Sequence, residues 1–553
     1  MMILHIISLF LAIGITPWLV SQLLVQRHSW GALLAGWGPV MISINIAIPI
    51  LLHLLAFPIT PNSLALAHSI LAGFIILLAL LFKRPAPLPV SGIMTNRFLM
   101  AGAILFALLV LPLTHIAGID TYKWQDLAGN ITVEQRLSWL VHPLSLLGFT
   151  PRSYSSAQPL ILASIQMLGH TGVDWGFYIL SLAFGLTGLS GAWMLGRYLF
   201  KSETSATWLA LLYLFSPVFM RYNYWATGRG LLLDLLPVYL LILLKLGSVF
   251  TDKSTRQWSC LTWLIPAWLL LSSLLMMSHK AGVIGACLIP ILFLSSPALM
   301  ILRGRWALLI AGLLALAAGL LLTNSQPITL ATRLITRFGW LLPLAILAIF
   351  TKPNQILTPP FRTLLTAGLL LLALSCTPDM YGALLALPFI TCLATVGLEK
   401  INGTLRSYAL LGLLLIPALA IVLNQMRDSP AESVYQAAQF IENHDPRGPF
   451  RIEAPGAARR QIQAYVSGCP RFAVNSGSQP QLEFNAMPSW TGKLSLDARH
   501  WIDYLRNMLG LRGATTDWYG SGTKIYYITI DGQGTIPPNP TRLFSNGNVT
   551  VFE

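Results

Sequence analysis

Residues 98–126 read FLMAGAILFALLVLPLTHIAGIDTYKWQD, an apolar run followed at once by a polar segment that contains Asp120 and Asp126. A helix needs about 20 apolar residues to cross the hydrocarbon core of a membrane. The stretch therefore predicts a membrane-spanning helix over 98–116 that ends where two carboxylates lie near the membrane surface.

The composition extends this interpretation to most of the chain. Of the 553 residues, 55% are hydrophobic and only 10% are charged, whereas roughly a quarter of the residues of a soluble protein are charged. A water-soluble enzyme, a nucleic-acid-binding protein and a disordered chain are thereby excluded. The five cysteines form no CxxC pair, so neither a disulfide framework nor a zinc site is predicted. The chain is predicted to be a polytopic α-helical membrane protein.

Apolar runs of the required length recur until residue 425 and predict about 14 transmembrane helices. The N-terminal run lacks the basic region and cleavage site of a signal peptide, and it is counted as the first span. The predicted spans lie near 2–25, 32–57, 63–82, 98–116, 175–198, 204–219, 230–250, 258–277, 281–301, 306–323, 338–351, 363–376, 382–398 and 407–425.

The charge distribution predicts the orientation of these spans, because short cytoplasmic loops collect Lys and Arg. If the loop over 118–158 faces outward, the opposite face carries fifteen basic and three acidic residues, whereas the outward face carries eight and six. We therefore expect a protein of the cytoplasmic (inner) membrane whose N-terminus and whose segment after residue 425 are extracytoplasmic.

The segment 426–553 has a different pattern, with shorter apolar runs and more charge. Ser429 followed by Glu432 resembles a capping box that opens a helix through Ile441. Short strands are predicted over 450–453, 471–474 and 524–530, with a second helix over 498–509. Asn546-Gly547 between apolar residues indicates a β-hairpin. The predicted organisation is N-terminal transmembrane helices over 1–97, a transmembrane core over 98–425 and an extracytoplasmic α/β domain over 426–553.

The outward loop over 118–158 holds the first candidate site residues, Asp120 and Asp126. A carboxylate at the membrane surface suits a general base that acts on a substrate held at the interface, although a solvated loop acid is an equally good interpretation of its position. The rest of the loop is semi-apolar and broken by prolines, which predicts short helices along the membrane surface.

A second cluster, Arg221 and Arg229 among aromatic residues, lies between two spans on the same face. The planar guanidinium group matches phosphate oxygens bidentately, so we favour substrate binding over an aromatic belt with snorkelling arginines. Asp234 follows within the next span, where an acid is by default a functional candidate. Pairing with either arginine would instead give it a purely structural role.

Two further outer groups are candidates for anion binding. His279 and Lys280 lie between two apolar runs and can contact a phosphate or a sugar hydroxyl, or simply end a helix. Arg333 and Arg337 are four residues apart and share one face of a helix, for which contact with lipid headgroups is the favoured interpretation. No Walker A, HExxH or GxSxG motif is present, so no nucleotide cofactor and no metal-binding residues are assigned, and the requirement for a divalent cation stays open.

Five pieces of the sequence together resemble the GT-C superfamily of membrane glycosyltransferases. The resemblance is nearest to the groups labelled 6-pyruvoyl-tetrahydropterin synthase-related and YfhO-like, and it runs from about residue 98 to the C-terminus. The pieces are GIDTYKWQD, YSSAQPLILASIQMLG, LFSPVFMRYNYWATGRGLLLDLLPVYLL, LLMMSHKAGVI and RLFSNGNVTVFE.

The resemblance implies a GT-C fold and inverting transfer of a sugar from a polyprenyl-phosphate donor on the outer face. Asp120 would be the base, and Arg221, Arg229 and His279 would lie near the lipid phosphate. The expected partners are a polyprenyl-phosphate-linked sugar, membrane lipid and an envelope glycan, lipid or protein acceptor. Two alternatives stay open: a non-enzymatic transporter, flippase or envelope-assembly protein, and a polymerase or ligase of O-antigen type.

Overall fold

The computed structural model describes most of the N-terminal half of the chain and several later segments. The described residues are 2–24, 30–81, 97–111, 115–116, 119–137, 156–224, 226–251, 327–351, 381–401, 418–423, 431–446, 450–455, 458–466 and 524–553, with the single residues 317, 368, 412 and 416.

The N-terminal part is a small bundle of apolar helices. A π-helical turn over Leu11–Ile15 joins the first two helices, and the indole N–H of Trp37 donates to the carbonyl oxygen of Ile13 at 2.8 Å. This bond ties the turn to the third helix. The helices are α1 (Met2–Phe10), α2 (Thr16–Leu24), α3 (Trp30–Leu54) and α4 (Pro61–Leu81).

The following helices form the buried centre of the membrane part. Their longest member, α8, has 28 residues and spans about 42 Å at 1.5 Å per residue. It packs against α3, α9 and α11. The helices are α5 (Arg97–Leu109), α6 (Ile119–Glu134), α7 (Ala157–Gly169), α8 (Val173–Phe200), α9 (Glu203–Leu214), α10 (Pro217–Tyr224) and α11 (Gly228–Thr251).

Small residues let neighbouring helices approach α8 closely. A Cβ atom on Gly185 would lie 2.1 Å from the Phe106 ring, and one on Gly191 would lie 2.7 Å from a Val238 methyl group. In a membrane, close packing of this kind replaces the hydrophobic effect as the main attraction between helices. Glycine at these positions therefore sets the distance of α5 and α11 from α8.

Three later helices complete the described membrane part: α12 (Pro327–Phe338), α13 (Leu341–Thr351) and α14 (Tyr381–Leu398). The axes of α12 and α13 differ by 97°, and the bend falls at Gly339, which has φ +53°. Helix α13 packs along α14, and α12 contacts α10. The predicted span over 338–351 is therefore confirmed as a helix that begins after a sharp corner.

Several other predicted spans also coincide with helices. In the described part of the chain, three helices are long and apolar enough to cross a membrane, namely Gly36–Leu54, Pro61–Leu78 and Val173–Phe200, or four if the bent pair is one span. The predicted span over 204–219 is broken, because α9 ends at Leu214 and α10 begins at Pro217. Since proline lacks an N–H donor, it favours a helix start over continuation. The predicted spans over 258–277, 281–301, 306–323, 363–376 and 407–425 fall wholly or mostly outside the described residues.

The loop predicted over 118–158 is partly helical and much more buried than expected. Helix α6 occupies 119–134, and residues 157–168 of α7 are all buried. Helix α7 contacts α1, α3, α4, α6 and α8, so it is a core helix and does not lie along the membrane surface. The prediction of surface helices was wrong for 157–169, because the apolar residues surround this helix instead of forming one stripe. Residues 138–155, the other part of that prediction, lie outside the described residues.

The C-terminal region has its own apolar core, separate from that of the membrane helices. A four-stranded sheet has the order β1-β2-β4-β3, in which β1 is parallel to β2 and the other neighbours are antiparallel. The elements are α15 (Glu432–His444), β1 (Phe450–Glu453), α16 (Ala458–Tyr465), β2 (Lys524–Ile530), β3 (Arg542–Asn546) and β4 (Val549–Phe552). These elements are called the C-terminal unit below.

The strand predictions over 450–453 and 524–530 are confirmed, and so is the hairpin, in which Gly547 has φ +56°. The predicted capping box was wrong. Helix α15 begins at Glu432 after Ala431, which makes no side-chain capping bond, and continues to His444. The predicted strand over 471–474 and helix over 498–509 lie outside the described residues.

Candidate functional site

The two ends of α8 differ in the side-chain contacts that they make. Its C-terminal end carries Arg197, which forms an ion pair with Glu203 at 2.9 Å. Ser205 of α9 bonds Glu399, next to the end of α14. Its N-terminal end carries Asp174 in the first turn, where the helix dipole favours an acid. The candidate site is built around this N-terminal end.

The Asp174 carboxylate accepts three hydrogen bonds. Its Oδ1 accepts from the backbone N–H of Ile116 at 2.8 Å and from the Tyr465 hydroxyl at 2.8 Å, and Oδ2 lies 3.1 Å from His115 Nδ1. The other ring nitrogen of His115, Nε2, lies 3.3 Å from Glu432 Oε2. Because Tyr465 and Glu432 belong to the C-terminal unit, this cluster joins that unit to the membrane helices.

The protonation states favour these contacts. Burial lowers the pKa of His115, but the hydrogen bonds and charges of Asp174 and Glu432 outweigh this effect and raise the pKa above its usual 6.5. Burial, followed by the adjacent Asp174 carboxylate, raises the pKa of Tyr465 well above 10.0. The Tyr465 hydroxyl therefore keeps its proton and donates a hydrogen bond to the carboxylate.

The same cluster fixes the approach to α6, the helix that contains Asp120 and Asp126. The backbone N–H of Ile116 contacts Asp174 and the Tyr465 hydroxyl, and its carbonyl oxygen accepts from the Tyr122 hydroxyl at 2.9 Å. Asp120 is the second residue of α6, four residues after Ile116. Asp126 lies six residues further along, about 120° around the helix, so the two acids do not share a face.

Helix α7 links α6 to the region of the two arginines. The side-chain amide of Gln166 donates to Gln125 Oε1 at 2.8 Å, and the amide of Gln158 donates to the carbonyl oxygen of Ala226 at 2.8 Å. The two glutamines are eight residues apart, which corresponds to about 12 Å along the helix. Buried amide groups are costly unless they are paired, so these bonds fix both neighbours against α7.

Arg221 and Arg229 flank one aromatic ring. The guanidinium carbon of Arg221 lies 5.9 Å from the centroid of the Tyr222 ring, and that of Arg229 lies 5.5 Å from it. Tyr222 is buried, whereas Arg221 is exposed and Arg229 is half-buried. The structure thus brings the two predicted arginines together at the turn between α10 and α11, called the arginine turn below.

Local backbone chemistry explains this turn. The hydroxyl of Thr227 accepts from the N–H of Gly230 at 3.3 Å, as expected of an N-cap residue. A Cβ atom on Gly230 would lie 2.5 Å from the carbonyl oxygen of Tyr222, so only glycine allows the chain to fold back so tightly. The turn therefore holds Arg221 and Arg229 on adjacent helices close to each other.

The arginine turn lies towards the same end of α8 as the Asp174 cluster. The hydroxyl of Ser181 donates to the carbonyl oxygen of Asn223 at 2.8 Å, and Ser181 is about 10 Å along α8 from Asp174. Since α8 is about 42 Å long, both contacts fall within its first third. Helix α6, the arginine turn and the C-terminal unit therefore all lie towards the same end of α8.

Asp234 does not join the arginines. Its side chain is fully buried, and neither carboxylate oxygen has a hydrogen-bond partner among the described residues. A Cβ atom on Gly188 would lie 3.1 Å from Asp234 Oδ1, which places the carboxyl about 21 Å along α8 from Asp174. The expected alternative of an Asp234–Arg pair is therefore not observed in this part of the structure.

The remaining predicted cations are distributed differently. His279 and Lys280 lie outside the described residues. Arg337 is 5% exposed and Arg333 is half-buried on α12, the helix that contacts α10 beyond the corner at Gly339. Burial of Arg337 against protein argues against free headgroup contact as its main role.

The described residues contain no group of three or more His, Cys, Asp or Glu side chains arranged to hold a metal ion. His115 comes nearest in composition, but its two ring nitrogens face different carboxylates. A metal ligand needs one of these nitrogens free of such a partner. The cluster therefore has the chemistry of a hydrogen-bonded bridge between elements.

The fold resembles those of two solved proteins. ArnT from Cupriavidus metallidurans bound to undecaprenyl phosphate matches with a TM-score of 0.50 and 11% identity, over 82% of this chain and 96% of that chain. The oligosaccharyltransferase AglB from Archaeoglobus fulgidus, in complex with an inhibitory peptide and a dolichol-phosphate, has a TM-score of 0.47 and 12% identity, over 76% and 69%. No protein-family profile and no curated protein sequence matches the chain.

The likeness to ArnT establishes a GT-C-like membrane fold for this chain. Because the two chains are only 11% identical, the likeness shows the fold and does not show the substrate. The GT-C part of the sequence prediction is confirmed, whereas the narrower resemblance to the 6-pyruvoyl-tetrahydropterin synthase-related and YfhO-like groups stays a prediction, as do the domain boundaries and the count of about 14 spans.

The sequence analysis missed His115, Asp174 and Tyr465. An acid in the first turn of a long span was the available signal for Asp174. Its partners are 59 and 291 residues away, so no spacing pattern in the sequence indicated that the three side chains meet.

Proposed function

We propose that the protein is an inverting glycosyltransferase that moves a sugar from a polyprenyl-phosphate donor to a cell-envelope acceptor on the outer face of the cytoplasmic membrane. The observation that carries the proposal is the grouping of α6 and the arginine turn at one end of α8, within a GT-C-like fold. ArnT, which has this fold, was crystallised with undecaprenyl phosphate.

In the proposed reaction, Asp120 accepts the proton of the acceptor hydroxyl. The hydroxyl oxygen forms a bond to the anomeric carbon of the donor while the bond from that carbon to the phosphate oxygen breaks. The leaving polyprenyl phosphate gains negative charge, which Arg221 and Arg229 stabilise through charge-assisted hydrogen bonds. Asp126, His279 and Lys280 are further candidate residues of the same site.

The acceptor is expected to approach from the C-terminal unit, because its helix α16 packs against α6. In this proposal the unit lies on the extracytoplasmic side, as the distribution of Lys and Arg predicts. The Arg197 and Lys201 end of α8 would then face the cytoplasm. A glycan, lipid or protein acceptor fits this arrangement equally well.

The test is Asp120→Asn in membranes supplied with a panel of polyprenyl-phosphate-linked sugars and envelope extracts. Because general base catalysis contributes about 10²–10⁴-fold, we expect a loss of transfer of that order with unchanged protein abundance. Glu203→Gln, an acid change at the opposite end of α8, is the matched control and should leave transfer intact. Full transfer by the Asp120→Asn protein would contradict the assignment.

A lipid translocator is the second candidate function, and one observation favours it. Asp234 of α11 is a fully buried acid whose carboxyl lies beside Gly188, about halfway along α8. Ionisable residues inside the membrane often mark transport pathways. Glycosyl transfer remains our first proposal because α6 and the arginine turn lie together, whereas Asp234 has no charged neighbour within the described residues that would complete such a pathway.

A further inference from the structure

The contact between the C-terminal unit and the membrane helices is centred on one carboxylate. Asp174 accepts from the Tyr465 hydroxyl at 2.8 Å, and the same hydroxyl lies 3.2 Å from the backbone N–H of Ile116. Tyr465 is the last residue of α16. One hydroxyl of the C-terminal unit thus bridges the start of α8 and the segment that leads into α6.

Aromatic contacts enclose this bridge. The His115 ring stacks on Tyr435 with centroids 3.7 Å apart and an interplanar angle of 23°. Tyr465 meets His115 edge-on at 5.9 Å and meets Tyr435 edge-on at 5.0 Å. The three rings pack against one another beside the partly buried bonds that Asp174 accepts from His115 and Tyr465. The interface therefore has a defined geometry and is not a loose surface contact.

The bridge leaves little freedom to the residue that precedes α6. Both backbone groups of Ile116 are hydrogen-bonded, the N–H to Asp174 and Tyr465 and the carbonyl to Tyr122. Tyr122, in the first turn of α6, donates to the carbonyl oxygen of Ile116, so a shift of Ile116 is passed directly to the turn that contains Asp120. The start of α6 is therefore the part of the helix that this bridge controls.

We propose that Tyr465 and Asp174 are positioning residues, through which docking of the C-terminal unit fixes the start of α6 and hence the placement of Asp120. The effect on catalysis rests on the proposed function, whereas the effect on α6 does not. Release of the C-terminal unit would loosen α6 and leave the transmembrane helices in place. Acceptor binding to the unit and the geometry of the membrane site would in this way be coupled.

The test is hydrogen–deuterium exchange of the full-length protein in lipid nanodiscs, comparing Tyr465→Phe with the wild type. Phenylalanine keeps the ring contacts and removes only the hydroxyl. Loss of a hydrogen bond to a charged group should accelerate exchange of peptides over 116–134 by about tenfold, while peptides over 173–200 stay protected. Tyr526→Phe is the matched control, because it removes a buried hydroxyl within the same unit that faces Asp445, and it should leave exchange over 116–134 unchanged.

Asp174→Ala, which removes both acceptor oxygens, is the second variant in case Tyr465→Phe disturbs the C-terminal unit itself, which faster exchange over 524–530 would reveal. This change acts from the membrane side and should give the same acceleration over 116–134. Wild-type exchange over 116–134 in either folded variant would overturn the proposal.

Measurements of glycosyl transfer distinguish a failure of this proposal from a failure of the proposed function. If both hold, Tyr465→Phe lowers kcat and leaves KM for the lipid donor unchanged, because the arginine turn is untouched. Asp120→Asn abolishes transfer without altering exchange over 116–134. Full transfer by Asp120→Asn combined with accelerated exchange in Tyr465→Phe would reject the reaction and retain the positioning role.

Discussion

Asp174 and Asp234 are the same side chain in two regions of the helix bundle, and they have opposite surroundings. Asp174 lies at the end of α8 and accepts from a backbone N–H, a hydroxyl and an imidazole. Asp234 is a residue of α11 whose side chain is buried against α8, with no hydrogen-bond partner among the described residues. A carboxylate with three donors holds elements together, whereas one without donors contributes little to the fold.

The comparison also separates two kinds of evidence for function. An acid within an apolar helix stands out in the sequence, and Asp234 was accordingly a predicted site residue. Asp174 was not predicted as a site residue, because it lies in the first turn of a helix, where an acid is common. The partners that give Asp174 its importance come from two other segments of the chain, 115–116 and 458–466.

The largest expected effect is that of Asp174→Ala. It removes the acceptor of the Tyr465 hydroxyl and the shorter of the two contacts of the Ile116 N–H and of His115. We therefore expect the free energy of unfolding in detergent to fall by about 2–3 kcal/mol. Glu203→Ala at the other end of α8 is the matched control, and it should cost less than about 1 kcal/mol because its ion pair with Arg197 is exposed. Equal losses for the two variants would remove the distinction between the two ends of α8.

A smaller, pH-dependent effect is expected from His115. Its pKa is raised in the folded protein, so its contribution is complete below the unfolded value of about 6.5 and is lost as the pH rises through the folded value. Asp174 and Glu432 face it as carboxylates, while Tyr435 and Tyr465 stay neutral because their pKa values are raised. The wild type should therefore lose more thermal stability than His115→Gln between about pH 6 and pH 9. Parallel pH profiles for the two proteins would contradict the charged bridge.

The smallest effect is expected from Asp234→Asn. Because no described donor holds this carboxyl, an amide of the same shape should change the free energy of unfolding by less than about 1 kcal/mol. A loss of 3 kcal/mol or more would show that Asp234 is charged and paired, and would make it resemble Asp174. The same variant in liposomes tests the translocator, which requires that lipid transport stops while glycosyl transfer persists.

The sequence predicted regular elements well where one physical signal dominates. The span over 175–198 lies within α8, and KIYYITI over 524–530 is a strand in which Tyr526 and Ile528 alternate towards the core. Long apolar runs and two-residue alternation are each sufficient for such a prediction. The break between Leu214 and Pro217 was not predicted, although its proline was visible.

The site was predicted less completely. Arg221 and Arg229 were correctly expected to lie together, because they are eight residues apart across one turn. Burial of α7 was not expected, since its apolar residues fit either a lipid surface or a protein core. Only the positions of the surrounding helices distinguish these environments.

The amino-acid sequence by itself determined a membrane protein with acids beside an apolar run and two nearby arginines, because hydropathy and charge act residue by residue along the chain. The tertiary structure alone decided which acid is held and which is isolated. Hydrogen bonds act over about 3 Å, and the groups that meet at Asp174 come from positions as far apart as Ile116 and Tyr465. Contacts between such distant residues follow from the packing of helices, which no local sequence pattern predicts.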